Sequence, residues 1–400
     1  MSGLDVDANR VEAINSRRVE THEPMVGELL SDPRCAVMAT TDPAEALANA
    51  ELSVVTVPTP SQADGSFGLA AVLAAAQAIG EQARLLAPRH VVVLKSTVSP
   101  GATEGIVRRA LEAASEPSSS APALVHVPEF HAIGSIVHDI THPYQLIVGG
   151  HEEWAMALAE ELHESLAEEE IQLARLDAAG AELAKLASNS FRTMKIAFAN
   201  SLAELCAAYD SDPHGVCAAV GADPHIGRGY LNPGLPYGGP CYPRDNPALS
   251  AAAAAVDVPA PLPAAIEQAN ERRFLELEQS ALRAPQGPIG IVGIGFKPGT
   301  DELEGSPALE LARRWRDAGR EVIVHDPLLD APGPDTPTPL GALIETCAAV
   351  LLATSDERVA DELAAELVGA VDPPLLLDPW GALRSPVAAT RLRASRVEAG

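Results

Sequence analysis

The sequence predicts an α/β protein with two sheet-containing units on either side of an all-helical segment. In residues 1–150, β-branched runs such as LSVVTVPTP (Leu52–Pro60) and HVVVLKSTVSPG (His90–Gly101) alternate with helical stretches, which is typical of a parallel sheet covered on both faces. Residues from about 173 to 280 contain no convincing strand, and the alternation resumes after the linker RAPQGP (Arg283–Pro288). We therefore predict domains at residues 1–172, 173–282 and 289–395.

The individual elements follow from the same patterns. The N-terminal unit has further strands in ALVHVPEF (Ala123–Phe130) and QLIVGG (Gln145–Gly150), with a helix at Leu69–Leu86. The C-terminal unit starts with the strand and glycine turn of IGIVGIGFKPGTD, followed by a helix around Pro307–Ala318 and strands in REVIVHDP, AAVLLATSDE and PLLLDPW.

The middle segment has apolar residues three and four positions apart, which predicts one long amphipathic helix. These residues are Leu183, Leu186, Met194, Phe198, Leu202 and Leu205. Because this helix is apolar on more than one face, we expect it to pack against a partner subunit.

The composition excludes several classes of partner. The 400 residues contain 28 Lys and Arg against 55 Asp and Glu, a net charge of −27, so the chain repels nucleic acid and anionic membranes. The five cysteines are far apart and lack the CxxC spacing of a zinc site. The sequence shows no apolar leader and no apolar run near the ~18 residues of a membrane span. We expect a reduced, cytoplasmic protein without a metal site.

Three polar residues follow predicted strands. Thr59 in VPTP, Thr97 in KSTV and Glu129 in VPEF lie where ligands bind in α/β sheets, at the carboxyl ends of the strands. Each residue alone is more often a polar strand terminus. Three such residues on one edge of a sheet favour a site.

Two further groups have the residue types of covalent catalysis. Lys185 and Asn189 are four residues apart and share one face of the predicted helix, where a cation and an amide donor could stabilise an oxyanion. The stretch YGGPCYPRD presents Cys241 after Gly238 and Gly239, which lack a Cβ and so let a ligand such as a sugar approach the backbone. Asp245 follows shortly after, and the combination suits thioester chemistry. The alternatives are a lysine on a solvated helix face and a cysteine buried in a tight turn.

The glycine turn GIGFKPGTD is a weak signal by itself. Gly293, Gly295 and Gly299 follow a strand, but their spacing is not GxGxxG. Lys297 could supply a phosphate contact.

Taken in order, these stretches resemble the UDP-glucose/GDP-mannose dehydrogenase family. The matching motifs are GLDVDANRVEAIN, HEP, VPTP, STVSPG, PEF…GS…HD, AELAKLASNSF, NPGLPYGGPCYPRD and GIGFKPGTDE…SPALELA, from about residue 3 to about residue 327. The resemblance implies two Rossmann-like α/β domains, one for NAD and one for a nucleotide sugar, joined by a helical dimerisation domain. It also implies a homodimer.

The resemblance implies two hydride transfers from the C6 alcohol of a nucleotide sugar, through a thiohemiacetal and a thioester on Cys241. Lys185 and Asn189 would stabilise the oxyanions, Asp245 and Thr97 would hold the water that enters, and Glu129 would assist thioester hydrolysis. NAD would bind at Asp5, Thr59 and Thr97. The implied substrate-binding residues are Glu129, Phe130, Lys185, His225, Tyr230, Asn232, Gly238, Phe296 and Lys297.

The N-terminus departs from the family pattern. Asp5 matches the acid that binds the NAD ribose, and the Gly-rich turn of a dinucleotide fold lies ~20 residues before that acid. The first strand and its turn are therefore not in this sequence, and we expect a truncated N-terminal domain with unpaired neighbouring strands. Either the recorded start is too late or the domain has lost its first strand.

Other departures change charges. His225 stands where the family usually has an arginine, although Arg228 is close by. Glu304 replaces an arginine that contacts NAD, Arg244 replaces a commoner lysine, and Ile133 replaces a frequent glutamate.

Two hypotheses follow. The chain is a working NAD-dependent nucleotide-sugar dehydrogenase, nearer the UDP-glucose branch, or it is a catalytically impaired relative. Such a relative would bind a nucleotide sugar or pair with an active paralogue. The retained Cys241, Lys185, Asn189, Asp245 and Glu129 favour the enzyme, whereas Glu304 and the missing glycine turn favour the second hypothesis.

Overall fold

The computed structural model describes residues 1–19, 21, 23–115, 121–300, 302–329, 335–370 and 372–383. The chain forms two compact units. The first unit comprises Met1–Ser188 and Pro247–Pro259, and the second comprises Asn189–Asn246 and Ala260–Gly400.

The first unit contains seven strands and seven complete α-helices in its described residues. The strands are β1 (Ser2–Leu4), β2 (Met38–Thr40), β3 (Leu52–Val55), β4 (Val91–Leu94), β5 (Ala123–His126), β6 (Leu146–Gly149) and β7 (Leu173–Leu176). The helices are α1 (Ala8–Asn15), α2 (Val26–Ser31), α3 (Pro43–Leu47), α4 (Ala70–Glu81), α5 (Arg108–Ala114), α6 (Ile136–Thr141) and α7 (Glu153–Leu166).

The strands of the first unit form two separate sheets. The larger sheet has the order β3-β4-β5-β6-β7, and β1 pairs in parallel with β2 alone. Strands β3, β4 and β5 are parallel, and two apolar clusters form on the sheet, one with α4 and α5 and one with α7. The buried apolar strands therefore behave as their sequence predicted.

Two details of this sheet differ from the prediction. β6 runs antiparallel to β5 at the His126–Gly149 pair, so the sheet is mixed. β7 lies in the segment that was predicted to be all-helical, where it pairs in parallel with β6. Its sequence LARL is exposed along its whole length, and such an edge strand lacks the apolar pattern by which buried strands are found.

The helical segment and the second unit contain the remaining elements. The helices are α8 (Ala178–Ala208), α9 (Pro213–Gly221), α10 (Tyr242–Ala254), α11 (Pro261–Leu282), α12 (Pro307–Asp317), α13 (Leu340–Thr346) and α14 (Glu357–Gly369). The strands are β8 (Ile289–Val292), β9 (Val322–His325), β10 (Ala349–Leu352) and β11 (Leu375–Leu377). The boundary between the two units falls within α8 and within α10.

The C-terminal sheet is fully parallel, with the order β11-β10-β8-β9. Buried side chains of α11 and α12, including Trp315, pack on one face, and those of α13 and α14 pack on the other. The α/β fold class predicted from the sequence is confirmed. The three-domain division stays a prediction, because the two compact units do not test it.

Candidate active site

In the first unit, two predicted threonines meet at the carboxyl edge of the sheet. Thr59 follows β3 and Thr97 follows β4, and these strands pair with each other. The Thr59 hydroxyl donates a hydrogen bond to the Thr97 carbonyl oxygen over 2.8 Å. The two loops are therefore fixed side by side, as expected for residues that follow adjacent parallel strands.

Glu129, Phe130 and Lys185 form a second group in the first unit. The Glu129 carboxylate lies 3.4 Å from Nδ1 of His131, and the hydrogen bond with His131 holds the pKa of Glu129 below its usual value despite partial burial. Lys185 Nζ lies 4.9 Å from the centre of the Phe130 ring, a cation–π contact. Lys185 is 9% exposed, so the alternative of a lysine on a solvated helix face is wrong.

Two residues that sequence reasoning missed hold this region. Nζ of Lys95 lies 3.3 Å from Nε2 of His163, and burial lowers the pKa of Lys95. The buried Glu182 accepts hydrogen bonds from the Gly101 N–H (2.5 Å), the Thr103 N–H (2.8 Å) and the Thr103 hydroxyl (2.5 Å). Glu182 thus fixes the loop that follows Thr97, and desolvation raises the pKa of its carboxyl group.

Asp5 lies directly after β1. This strand belongs to the two-stranded sheet, whereas Thr59 and Thr97 follow strands of the five-stranded sheet. The Asp5 carboxylate accepts hydrogen bonds from the Asp7 N–H (2.9 Å) and from Arg10 (3.1 Å), and the backbone hydrogen bond is the main reason that its pKa is lowered. An ionised acid at the end of a strand fits the ribose hydroxyls of NAD.

In the second unit, Asn189 and Asp245 are in direct contact. The Asn189 amide donates a 2.6 Å hydrogen bond to the Asp245 carboxylate, across 56 residues of sequence. Both side chains are 2% exposed. A buried carboxylate is costly without a donor, so this contact orients the Asn189 amide and leaves its second N–H for another acceptor.

Cys241 is an exposed cysteine immediately before α10. Its carbonyl oxygen accepts hydrogen bonds from the Arg244 and Asp245 N–H groups. The residue therefore occupies the N-cap position of the helix. The partial positive charge of a helix N-terminus favours the thiolate form. The alternative of a buried cysteine in a tight turn is therefore wrong.

The glycines before Cys241 have a different reason from the expected one. We predicted that they let a sugar approach the backbone, yet a Cβ on Gly238 would overlap the Gly305 carbonyl oxygen and Pro307. Gly239 has a φ of +82°, and its Cβ would overlap the Phe296 ring. Protein packing thus requires both glycines, and it places Phe296 against the Cys241 loop. A substrate contact at Gly238 stays a prediction.

The loop with Tyr230 faces α8 and α10. The Tyr230 ring packs edge-on against Tyr242 with the ring centres 6.5 Å apart, and the Arg192 guanidinium lies 5.3 Å from its centre. Nζ of Lys195 donates to the Ile226 and Gly227 carbonyl oxygens at 3.1 and 2.9 Å.

The remaining predicted substrate residues of this loop, His225 and Asn232, are exposed. His225 donates its backbone N–H to Asp223.

The glycine turn that follows β8 is hydrogen-bonded to an aspartate that sequence reasoning missed. The Asp326 carboxylate, directly after β9, accepts the Ile294 and Gly295 N–H groups at 2.8 and 3.3 Å. Lys297 lines a small hollow beside Asp326. Glu304 is exposed, and its N–H donates to Glu302.

Three models of one family match the chain in order. They are the NAD-binding domain at residues 1–167, the central domain at residues 179–272 and the UDP-binding domain at residues 290–385 of the UDP-glucose/GDP-mannose dehydrogenase family. A UDP-glucose 6-dehydrogenase of Haloferax volcanii is 33% identical over 334 residues, which cover 81% of this chain and 77% of that protein.

The chain belongs to the UDP-glucose/GDP-mannose dehydrogenase family. A GDP-mannose 6-dehydrogenase of Pseudomonas putida is also similar, 30% identical over 81% of this chain and 74% of its own length. A solved UDP-glucose dehydrogenase of Pyrobaculum islandicum superimposes with a TM-score of 0.85 and 30% identity, over 96% of this chain and 89% of that chain. The family resemblance and the NAD-binding domain predicted from the sequence are confirmed.

In the described part of the chain, no helix combines the length and the apolar character needed to cross a membrane.

Proposed function

We propose that this chain oxidises the C6 alcohol of a nucleotide sugar of the UDP-glucose type to the uronate, with Cys241 as the nucleophile. Family membership supports the reaction class. The observation that carries the proposal is the Asn189–Asp245 hydrogen bond in the unit that presents the exposed Cys241 thiol. An oriented amide, a buried carboxylate and a thiol at a helix N-terminus suit covalent chemistry at an aldehyde.

NAD supplies the hydride acceptor for both oxidations. Asp5 would hold its ribose, and Thr59 and Thr97 would contact it at the ends of β3 and β4. We propose that Asp245 and Thr97 hold the water that enters for hydrolysis, and that the proton of the C6 hydroxyl leaves to this water.

Cys241 then attacks the aldehyde carbon, and a C–S bond forms while the carbonyl oxygen becomes an oxyanion. Lys185 and the free N–H of Asn189 stabilise that charge. Lys185 suits this role because the residue is only 9% exposed, and charge interactions are stronger where water is excluded.

Loss of a second hydride from the thiohemiacetal carbon to a second NAD⁺ would give the thioester, and thioester hydrolysis completes the reaction. Water attacks the thioester carbon, Glu129 takes a proton from that water, and the C–S bond breaks to return the Cys241 thiolate. A base must be ionised to accept a proton, and the lowered pKa of Glu129 keeps its carboxylate ionised at neutral pH.

We further propose that the other predicted residues bind the substrate. Phe130, His225, Tyr230, Asn232, Gly238, Phe296 and Lys297 would contact the sugar and its phosphates. The chain would act in the cytoplasm as a homodimer that pairs through α8.

A second candidate function is a relative that binds the nucleotide sugar without oxidising it. The exposed Glu304 favours it, because a carboxylate near a dinucleotide phosphate weakens NAD binding by Coulomb repulsion.

Turnover of the purified 400-residue chain tests the proposal. NADH formation is followed with NAD⁺ and UDP-glucose, and then with GDP-mannose and UDP-N-acetyl sugars. We expect two NADH per sugar, and no uronate from Cys241→Ala. Cys35→Ala, which changes a half-buried cysteine outside the site, is the matched control. Sugar binding without NADH from any of these substrates would favour the second candidate.

A further inference from the structure

The stretch before Cys241 is buried but irregular. Residues 233–239 are buried and lie outside the helices and strands, so their backbone groups need partners from elsewhere. Side-chain amides provide several of them. Asn200 accepts the Gly234 N–H (2.9 Å) and donates to the Leu235 carbonyl (3.1 Å). Asn270 does the same for both backbone groups of Tyr237, at 2.8 and 3.0 Å.

One carboxylate of α11 joins the two ends of the Cys241 loop. Oε1 of Glu267 accepts the Tyr237 hydroxyl at 2.5 Å and the Asn246 amide at 2.9 Å. Tyr237 lies four residues before Cys241, and Asn246 lies five residues after it. The Asn246 amide is also 3.2 Å from the Tyr237 hydroxyl oxygen, so the three side chains form a closed triangle.

The triangle is connected to the residue that contacts Asp245. The Asn246 amide donates to the Thr193 hydroxyl at 3.1 Å. That hydroxyl lies 3.1 Å from the Asn189 carbonyl oxygen and 2.9 Å from that of Ser190. Glu267 therefore belongs to the same network as the turn of α8 that carries Asn189.

The charge of Glu267 makes this arrangement strong. Burial and the neighbouring carboxylate both raise the pKa of the Tyr237 phenol above its usual value, so the phenol remains a donor. Hydrogen bonds to an ionised acceptor are shorter and about twice as strong as neutral ones. A glutamate that receives two of them can hold both ends of a loop that has no regular structure.

We propose that Glu267 is a positioning residue for the Cys241 loop, holding Tyr237 and Asn246 so that Cys241 and Asp245 keep their places. Glu267 acts through its neighbours and needs no contact with the substrate. The inference rests on the proposed role of Cys241 as the nucleophile. A displacement of ~1 Å in a reacting group can lower a rate by ~10²-fold, which gives the size of the expected effect.

The test compares Glu267→Ala, Glu267→Gln and Tyr237→Phe with Glu271→Ala. Glu271 lies one turn further along α11 and pairs with Arg314 instead, so it is the matched control. Glutamine at position 267 keeps a carbonyl oxygen that can accept hydrogen bonds from Tyr237 and Asn246, whereas alanine has no side-chain acceptor. Far-UV circular dichroism establishes that each variant is folded, and Tyr237→Phe tests the same contact if Glu267→Ala does not fold.

If the wild-type chain turns over, we expect the kcat of Glu267→Ala to fall by ~10²-fold while the KM values for sugar and NAD⁺ stay nearly unchanged. Glu267→Gln should recover most of the loss, and Glu267→Ala combined with Tyr237→Phe should cost less than the sum of the single changes. A wild-type kcat in Glu267→Ala, or equal losses with glutamine and alanine, would overturn the proposal.

If the wild-type chain does not turn over, the proposed function fails, and the reactivity of the thiol decides the inference. Iodoacetamide labelling of Cys241 is followed by mass spectrometry against Cys35 in the same sample. We expect Glu267→Ala to slow labelling of Cys241 by about threefold, because the thiol moves from the helix N-terminus that favours the thiolate. An unchanged rate at Cys241 would contradict the positioning role.

Discussion

At the scale of single residues, lysine is used at few places in this chain. Only four of the 28 Lys and Arg residues are lysines, namely Lys95, Lys185, Lys195 and Lys297. Three of them contact groups around the candidate site, and Lys297 lines the hollow beside Asp326. An ammonium is a compact charge whose pKa shifts readily on burial, whereas a guanidinium stays charged and needs a planar partner.

The Asn189–Asp245 contact makes a prediction about charge. Asn189→Asp would place two carboxylates side by side where both residues are buried. Like charges at this distance cannot both ionise, so the pKa of the pair rises. We expect Asn189→Asp to lose about 2–3 kcal/mol of stability at pH 7.5, measured by urea unfolding.

The loss should shrink as the pH falls, because a shared proton removes the repulsion. Asn189→Ala, which removes the amide without adding charge, should show no such recovery. An Asn189→Asp variant that is equally destabilised at pH 5.5 and 7.5 would contradict this electrostatic account.

The burial of His126 predicts that the first unit loses stability in acid. Its ring is fully buried at the end of β5, and neither nitrogen has a hydrogen-bond partner among the described residues. Burial lowers its pKa to about 3, so the unfolded chain binds a proton below pH 6.5 that the folded chain excludes. Its contribution to stability is full above pH 6.5 and falls as the pH drops towards 3.

As the pH falls from 7.5 to 5.5, the buried His126 should lower the free energy of unfolding by about 1.4 kcal/mol. His126→Leu should abolish that part of the pH dependence in urea titrations, whereas the exposed His151→Gln should not. Identical pH dependences of wild type and His126→Leu would show that the imidazole binds its proton equally well in the folded and the unfolded chain.

At the scale of elements, α8 presents an apolar stripe to solvent. Phe191, Phe198 and Leu205 are seven residues apart and 60%, 52% and 57% exposed. Residues at this spacing lie on one face of a helix, and exposed apolar patches of this kind mark interfaces. The sequence predicted that this helix packs against a partner subunit.

We expect Phe198→Glu to convert a dimer into a monomer at micromolar concentration, because burying a carboxylate in an apolar interface is costly. Size-exclusion chromatography with light scattering measures the change in mass. Leu275→Glu, which changes an exposed leucine of α11, should leave the mass unchanged. A wild-type chain that is already monomeric would refute pairing through this face.

The two-stranded sheet of β1 and β2 should be the least stable element of the first unit. A two-stranded sheet is marginal by itself, and helices α1 and α2 have no buried residues. Strand β4 lies between two partners and is buried throughout.

We therefore expect the amides of Ser2–Leu4 and Met38–Thr40 to exchange with deuterium at least ~10²-fold faster than those of Val91–Leu94. Hydrogen exchange with mass spectrometry measures both sets in one experiment. Equal protection of the two sets would show that β1 and β2 are stabilised by contacts beyond their own pairing.

At the scale of the whole molecule, the excess of acid dominates. With 55 acidic against 28 basic residues, we expect repulsion among carboxylates to exceed the attraction within surface ion pairs. Salt screens both, and the Debye length falls from about 10 Å at 0.1 M to about 3 Å at 1 M. We expect the melting temperature to rise by several degrees, roughly 1–2 kcal/mol, between 0.05 and 1 M KCl. Calorimetry at pH 7.5 measures it, and a falling melting temperature would show that ion pairs outweigh the repulsion.

The sequence by itself determined the features that depend on neighbours along the chain. The alternation of apolar strands and helices gave the α/β class, the three- and four-residue spacing gave α8, and the collinear motifs gave the family and its NAD-binding domain. Such patterns are local, because side-chain direction repeats every 2 or 3.6 residues in strands and helices.

Only the tertiary structure decided the contacts between distant residues. It brought Asn189 to Asp245, packed Gly238 and Gly239 against Gly305 and Phe296, and buried Lys185 beside Phe130. It also turned β6 antiparallel and added β7 at the edge of the sheet. Nothing in the spacing along the chain specifies these pairs, since each depends on which elements pack together, and that choice is made by the burial of apolar surface over a whole unit.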